Sequence, residues 1–158
     1  PLNRSMQHIR PWIESGGHFV SQYHRPIDNW DKTQSAPLRL QPGSPSIRWR
    51  VTDAAAPVQM LQPDHPLLNS PNSITGEDFD GWIKERGLYF ASEWDPAYVP
   101  LLAMSDADEA PLEGGLIAAR IGAGIHVHCA LNLFYQMDHM VVGAFRLFAN
   151  LLTPSGKT

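Results

Sequence analysis

Apolar residues recur at helical spacing at the start of the chain: Leu2, Met6, Ile9 and Ile13. This spacing predicts a helix over residues 2–15. Gly16 and Gly17 follow directly, and glycine readily takes the left-handed conformation that ends a helix. Residues 18–23 then predict a strand. A helix, a Gly-Gly joint and a strand in this order are typical of a layered α/β domain.

The middle of the chain combines proline-rich loops with short apolar segments. Residues 24–45 contain several prolines and predict loops, whereas residues 47–51 and 58–61 predict strands. Thr75 has the character of a helix N-cap, and a helix is expected from Thr75 to Gly87. Its apolar face consists of three residues: Phe79, Trp82 and Ile83.

The last third of the chain has the clearest pattern. Residues 99–104 predict a strand, and residues 114–121 and 125–131 predict the strands of a β-hairpin around a Gly-Ala-Gly turn. A helix is expected over residues 141–152. Six apolar residues of that helix are expected to face the sheet: Val142, Phe145, Leu147, Phe148, Leu151 and Leu152. The pattern therefore predicts an α/β domain that ends in a β-hairpin followed by a helix.

The beginning of the chain suggests a partial domain. The chain starts at Pro1 rather than at a methionine, and its first element is a helix. We therefore expect residues 1–158 to form one partial domain whose first strands precede Pro1. A sheet that lacks strands has an unpaired edge, and such an edge attracts a partner strand. The expected partners are the remainder of the parent chain or a second copy that completes the sheet.

Composition and charge narrow the other classes of partner. The chain has 158 residues, 43% of them hydrophobic, and a formal net charge of −4 with scattered basic residues. No basic cluster could neutralise a nucleic-acid backbone and no apolar run could span a bilayer, so neither nucleic acid nor membrane is expected. The single cysteine, Cys129, excludes an internal disulfide and a multi-thiolate zinc site. Because one thiol is compatible with any compartment, the localisation stays open.

Six segments carry a resemblance to a known family: residues 12–23, 64–69, 74–82, 85–90, 111–115 and 143–150. They resemble the glutamine-amidotransferase-like domain at the C-terminal end of some PIG-L/LmbE-type deacetylase proteins. The resemblance implies a flavodoxin-like layered sheet, as in class I glutamine amidotransferases, here without its first strands. It also implies that a sugar N-deacetylase domain precedes this one in the parent protein.

Two departures from the catalytic motifs imply a silent domain. The deacetylases bind zinc through an A-H-P-D-D-E-type motif, which the segment from Gln62 to His65 does not match. The amidotransferases use a cysteine at a strand-to-helix elbow, whereas Cys129 lies inside a predicted strand and no H-x-E motif follows it. The resemblance therefore implies a non-catalytic accessory or interaction domain without a cofactor.

Four residues are candidates for chemistry of their own. His126 and His128 alternate along a strand, so both imidazoles could bind one metal ion if His18 or His24 supplied a third ligand. We prefer to interpret them as the polar face of the hairpin, with Val127 and Cys129 facing the core. Asp64 and His65 could form an acid–base pair or belong to a turn. The alternative function is accordingly a small metal-assisted hydrolase, a deacetylase that uses these four residues: Asp64, His65, His126 and His128.

Aromatic residues suggest a sugar-contacting surface: Trp30, Tyr89, Trp94, Tyr98 and Tyr135. Their rings offer apolar faces to sugar C–H groups. In layered α/β folds, ligands gather at the carboxyl ends of the strands. Combining the two arguments gives five expected ligand-binding residues, with carbohydrate as the expected ligand: Tyr23, His24, Trp30, Asn132 and Tyr135.

Overall fold

Ten short strands and four α-helices lie between residues 2 and 153, the part of the chain that the computed structural model describes. In chain order they are α1 (Leu2–Glu14), β1 (His18–Gln22), β2 (Leu40–Pro42), β3 (Arg50–Val51), β4 (Val58–Met60), α2 (Pro66–Asn69), β5 (Gly87–Leu88), β6 (Ala91–Trp94), β7 (Tyr98–Pro100), β8 (Leu102–Met104), β9 (Leu116–Ile121), β10 (Gly124–Cys129), α3 (Leu133–Asp138) and α4 (Val142–Leu152). Two 3-10 helices, Ser46–Arg48 and Gly76–Phe79, complete the set. No helix among these residues is long and apolar enough to cross a membrane.

The central sheet is mixed and has the strand order β1-β10-β9-β7. β1 pairs in parallel with β10, from His18 opposite Ile125 to Gln22 opposite Cys129. β10 pairs antiparallel with β9, and β9 pairs antiparallel with β7. The remaining strands form three two-stranded ladders, β2-β6, β3-β5 and β4-β8. The chain is therefore a mixed α/β protein, and β1 lies at an edge of the central sheet.

The predicted joint and hairpin are confirmed, and they pack against each other. Gly16 ends α1 with φ 115°, a value that few other residues adopt. The hairpin turns at Gly122, which has φ 61°. A Cβ atom on Gly122 would lie 2.5 Å from the Glu14 carbonyl oxygen, and one on Gly124 would lie 2.1 Å from that of Ile13. Glycine is therefore required where the hairpin meets the end of α1.

Two predicted strands differ from those observed. Residues 47–51 begin as a 3-10 helix, because backbone bonds from Arg48 to Pro45 and from Trp49 to Ser46 close two tight turns. Only β3 remains of the predicted strand. Residues 99–104 form two strands instead of one, since β7 pairs with β9 whereas β8 pairs with β4. The change of partner at Leu101 interrupts the ladder.

The helix predicted from Thr75 to Gly87 is wrong beyond its first turn. Thr75 caps a helix as predicted and forms a capping box with Asp78, but this 3-10 helix ends at Phe79. The Gln136 side chain, from α3, then hydrogen-bonds both the N–H and the C=O of Ile83, at 2.9 and 2.8 Å. These tertiary bonds replace the backbone bonds that a continuing helix would make. Gly87 belongs to β5 instead.

The predicted apolar face of α4 is correct for only part of the helix. Ala144, Leu147 and Leu151 are buried, together with Asn150. In contrast, Val142 is 71% exposed and Leu152 50% exposed. The helix packs against α2, α3 and the 3-10 helix at 76–79 as well as against β1, so the buried stripe is not the one that a flat sheet would select. The sequence pattern indicated neither α2 nor α3.

Both faces of the central sheet are buried. Val127 and Cys129 of β10 belong to one apolar cluster, with Leu116 and Ala118 of β9. The opposite face is covered by a second cluster around Ile13, Tyr98 and Ile117. Val127 and Cys129 therefore face the core as predicted, but the face that carries the histidines is also closed to solvent.

Candidate functional site

The carboxyl ends of β1 and β10 lie side by side because these strands run in parallel. The backbone N–H of Tyr23 donates to the Cys129 carbonyl at 2.9 Å, directly after β1. Tyr23 has φ 53°, a left-handed conformation that is rare for a bulky residue. Five residues gather at this end of the sheet, and we call them the glutamate cluster: Tyr23, Glu85, Tyr89, Asn132 and Phe134.

A buried carboxylate lies at the centre of the glutamate cluster. Glu85 is 7% exposed. Its Oε1 accepts hydrogen bonds from Tyr23 Oη at 3.2 Å and from Asn132 Nδ2 at 2.8 Å. Asn132 is fully buried, and its own Oδ1 has no hydrogen-bond partner among residues 2–153. Both donors to Glu85 are neutral, so the negative charge of the carboxylate is not balanced within the cluster.

Aromatic rings pack against Tyr23, which bonds this carboxylate, and they reach the surface. The Tyr23 ring makes edge-to-face contacts with Tyr89 at 5.5 Å and with Phe134 at 5.3 Å between ring centroids. Phe134 is 47% exposed, and both tyrosines are partly exposed. Tyr89, like Tyr23, is left-handed, with φ 63°. Burial and the neighbouring Glu85 charge raise the pKa of Tyr23, so its hydroxyl is protonated and donates at neutral pH.

A second buried polar group crosses the middle of the same strands. Tyr98 Oη lies 2.6 Å from His126 Nδ1, and Ser21 Oγ lies 2.8 Å from His126 Nε2 and 3.1 Å from His128 Nδ1. We call these four residues the histidine chain: Tyr98, His126, Ser21 and His128. All four are buried, both histidines completely.

The donor and the acceptor of each hydrogen bond in the histidine chain can be assigned by starting from the Tyr98 hydroxyl. Burial raises the pKa of Tyr98, whereas a hydrogen bond from the Leu38 backbone N–H to the phenol oxygen lowers it. Because that oxygen already accepts from Leu38, we assign its proton to the bond with His126 Nδ1. His126 Nε2 then donates to Ser21 Oγ, which donates to His128 Nδ1. His128 Nε2–H, buried without a partner in the described residues, ends the chain.

The two histidines are engaged with each other through Ser21 instead of being arranged around a metal ion. Burial, and then the neighbouring His128, lowers the pKa of His126 well below its usual value. Burial, and then His24, lowers the pKa of His128 to about 3. Both nitrogens of His126 and one of His128 are hydrogen-bonded. Residues 2–153 contain no group of three or more His, Cys, Asp or Glu side chains that could hold a metal ion.

His24 and Trp30 cover the end of the histidine chain. Their rings lie 4.7 Å apart, at 6.1 Å and 6.4 Å from the His128 ring. Trp30 Nε1 donates to the Leu40 carbonyl at 2.8 Å, which fixes the indole in place. Burial lowers the pKa of His24, partly offset by the charge of Asp28. His24 directly follows Tyr23 of the glutamate cluster in sequence, but both His24 and Trp30 pack at the end of the histidine chain instead.

The other candidate residues are engaged elsewhere. The Tyr135 ring stacks on His139 at 4.4 Å, and the Lys84 ammonium lies 4.7 Å from its centroid. His65 Nδ1 accepts from the Leu67 N–H and caps α2, whereas Asp64 is exposed. His65 is therefore positioned by the turn that starts α2, which favours the turn interpretation over an acid–base pair.

Cys129 lies in a chemically inert position. It is fully buried in β10, and burial raises the pKa of its thiol to about 12. A thiolate is the nucleophilic form of cysteine, and a raised pKa suppresses it. The geometry thus offers no activated thiol.

Two important residues, Glu85 and Ser21, were missed by the sequence analysis. Glu85 was not among the candidates, because it lies 62 residues from Tyr23 and 47 from Asn132 in the chain. Ser21 was expected only as part of a strand. The one local signal was Tyr89, four residues after Glu85, which belonged to the predicted aromatic surface.

Comparisons with known proteins do not identify a family. No family model matches the chain, and no curated protein matches it. Among solved structures, exo-beta-1,4-mannosidase Op5Man5 from Opitutaceae bacterium strain TAV5 is similar, with 15% sequence identity and a TM-score of 0.48. The match covers 96% of this chain and 24% of that enzyme. Likeness at this level does not transfer the enzyme's activity to the chain.

Proposed function

We propose that this chain is a non-catalytic accessory domain of a PIG-L/LmbE-type sugar N-deacetylase and that it contacts carbohydrate at the carboxyl ends of β1 and β10. The observation that carries the proposal is the glutamate cluster. A carboxylate and an amide are groups that bind sugar hydroxyls, and partly exposed aromatic rings beside them suit sugar C–H faces. Tyr23 and Asn132, two of the five expected ligand residues, both bond Glu85.

The absence of an activated nucleophile supports a non-catalytic role. The sealed Cys129 thiol, with its pKa raised to about 12, is unsuited to amidotransferase chemistry. The rival metal-assisted hydrolase would need His126 and His128 as ligands, but Ser21 and Tyr98 engage three of their four nitrogens. Elemental analysis of chain purified without a metal-affinity column tests this rival. A stoichiometric metal that is lost in His128→Gln would overturn the non-catalytic role.

The proposed layering is that of class I glutamine amidotransferases, a flavodoxin-like sheet. Its support is the parallel pairing of β1 with β10, with α1 leading into β1 and α4 packed against the same strand. The remaining parallel strands of such a sheet would come from outside the chain. They would add beside β1, at the edge of the sheet.

The free edge of β1 is suited to receive another strand. The N–H of Tyr23 bonds Cys129, and the carbonyl of Gly17 accepts from Ile125. Because backbone groups alternate in direction along a strand, the N–H and C=O groups of Val20 point away from β10. We propose that the remainder of the parent chain or a second copy pairs there.

Sedimentation velocity over a wide concentration range tests the second-copy form of this proposal. We expect a dimer that Val20→Pro dissociates, because proline removes an outward-facing N–H. Val20→Ala is the matched control, since it shortens the same side chain but keeps the N–H. A monomer at every concentration would overturn pairing between copies and leave the parent chain as the proposed partner.

A glycan-binding screen tests the sugar contact. The variant Phe134→Ala removes an aromatic ring of the glutamate cluster that is 47% exposed. Phe145→Ala is the control, because Phe145 is 42% exposed on α4 and lies outside the cluster. We expect saturable binding that Phe134→Ala weakens and Phe145→Ala does not. Absence of binding to every glycan would contradict the sugar-contacting role.

A further inference from the structure

The carboxylate of Glu85 is buried without an opposite charge. Its two hydrogen-bond donors, Tyr23 Oη and Asn132 Nδ2, are neutral and both bond Oε1. Throughout the described part of the chain, no residue bonds its Oε2, and no basic side chain forms an ion pair with Glu85. Oε2 therefore keeps contact with solvent, because it is not one of the buried polar atoms without a partner, and a cation can reach the carboxylate there. Glu85 therefore provides an anionic position that the chain itself leaves unfilled.

The basic residues close to Glu85 in the chain or near Tyr23 are engaged elsewhere. Arg25 forms two hydrogen bonds with Asp28, at 2.9 and 2.8 Å. Lys84 lies over the Tyr135 ring, and Arg86 donates to the backbone carbonyls of Ala56 and Phe79. None of them pairs with Glu85, so the described residues supply no counter-ion to this carboxylate.

The surroundings of Glu85 are suited to an organic cation. Ammonium groups bind well beside aromatic rings, because the ring faces carry partial negative charge. Tyr23 bonds the carboxylate, and the rings of Tyr89 and Phe134 lie against the Tyr23 ring. An ammonium group also donates several hydrogen bonds, and Asn132 Oδ1 is a buried acceptor without a partner among residues 2–153. The left-handed backbone of both tyrosines fits this function, since strained residues concentrate at binding sites.

We infer that the glutamate cluster is a binding site for an organic ammonium group, with Glu85 as its counter-ion, Asn132 as a second acceptor and Tyr23, Tyr89 and Phe134 as its aromatic wall. That the ammonium group belongs to an amino sugar rests on the proposed function, because N-deacetylation of a sugar produces a free amine. The site then prefers the deacetylated sugar over its acetylated precursor, whose amide is neutral.

Isothermal titration calorimetry at pH 7 and constant ionic strength tests the inference. The probes are methylammonium chloride, glucosamine, N-acetylglucosamine and glucose. We expect glucosamine to bind at least ten-fold more tightly than N-acetylglucosamine or glucose, as one charge-assisted contact in a desolvated site provides about that factor. The variant Glu85→Gln keeps an acceptor for Tyr23 and Asn132 but removes the charge, so we expect it to abolish the preference.

The outcomes separate this inference from the proposed function. Equal binding of the three sugars that Glu85→Gln leaves unchanged would overturn the ammonium site and keep the sugar contact. Binding of methylammonium without any sugar would support the ammonium site and contradict the sugar contact. No binding of any probe would overturn both.

The aromatic wall provides an independent variant in case Glu85→Gln fails to fold. Phe134→Ala changes a partly exposed ring, and we expect roughly five-fold weaker binding of glucosamine from the loss of one cation–π contact. Phe145→Ala, which changes a ring of similar exposure on α4, should leave the affinity unchanged. Equal affinity of the two variants would contradict the aromatic wall.

Discussion

The histidine chain crosses β1 and β10 and the glutamate cluster lies just beyond their carboxyl ends, and yet the two groups differ in the charge that they carry. In the histidine chain, Ser21 and Tyr98 engage three of the four imidazole nitrogens, and the remaining one lies beneath Trp30 and His24. The glutamate cluster retains an unbalanced charge and an unpartnered amide oxygen beneath partly exposed rings.

Comparing the two groups suggests a criterion that distinguishes buried polar groups that stabilise a fold from those that bind a ligand. Burial alone does not separate them, because His126, His128 and Asn132 are all fully buried. Charge does separate them: burial lowers the pKa of both histidines and favours their neutral form, whereas Glu85 is an acidic side chain without an ion pair among the described residues. We propose on this basis that the histidine chain stabilises the fold and that the glutamate cluster binds a ligand, and four experiments test the distinction.

The largest expected effect concerns the reactivity of Cys129, which lies in the sealed part of β10. A thiol pKa of about 12 makes the thiolate roughly a thousand-fold rarer than in an ordinary cysteine, and burial blocks the reagent as well. We expect labelling by a thiol-specific reagent at pH 7 to be at least a thousand-fold slower in the folded chain than in urea. Comparable rates in the two conditions would show that this part of the sheet is open.

The next effect is the loss of the central hydroxyl of the histidine chain. Ser21→Ala leaves His126 Nε2 and His128 Nδ1 without partners, so we expect the free energy of unfolding to fall by about 3 kcal/mol. The control is Ser73→Ala, because Ser73 is exposed; we expect a change within about 0.5 kcal/mol. Urea denaturation measures both. Equal effects would contradict a structural role for the histidine chain.

The pH dependence of stability gives the third effect. The pKa of His128 is about 3 in the folded chain and about 6.5 when unfolded, so neutral His128 favours folding above pH 6.5. This stability is lost as the pH falls from 6.5 toward 3, by about 1.4 kcal/mol per pH unit, and His126 adds to it with the same sign.

Denaturation between pH 7 and pH 5 measures this loss before the carboxylates titrate. The His128→Gln variant should show a smaller slope that does not vanish, because His126 still contributes to it. A free energy of unfolding that stays constant over this range in the unmodified chain would show that the histidines are not sealed.

The smallest expected effect is on the stability of Glu85→Gln. The glutamine oxygen can still accept from Tyr23 and Asn132, and the substitution removes a buried unpaired charge. We therefore expect the free energy of unfolding to change by less than about 1 kcal/mol. A loss of several kcal/mol would assign Glu85 to the fold rather than to binding.

The sequence could predict the elements that local patterns determine. α1, the β9–β10 hairpin and α4 follow from local periodicity and from glycines at chain reversals, and these predictions are confirmed. The helix expected after Thr75 failed because the Gln136 side chain, distant in sequence, bonds the Ile83 backbone. Local signals fix where an element begins, whereas tertiary contacts decide whether it continues.

The candidate site could be predicted only where a general rule identified the end of a strand. Tyr23 and Asn132 follow strands whose carboxyl ends meet, so the rule for layered α/β folds found them. Glu85 lies in an irregular segment before β5, and no periodicity connects it with residues 47 and 62 positions away. The bonds that assign its role exist only in the folded chain.

The most direct test of the account is a titration of the unmodified, isotope-labelled chain with glucosamine, followed by the backbone amide signals in nuclear magnetic resonance spectra. The account predicts saturable shifts at Tyr23, Glu85, Tyr89 and Asn132, with the signals of Ser21 and His126 little changed. Shifts centred on the histidine chain, or no saturable shift at the glutamate cluster, would contradict it.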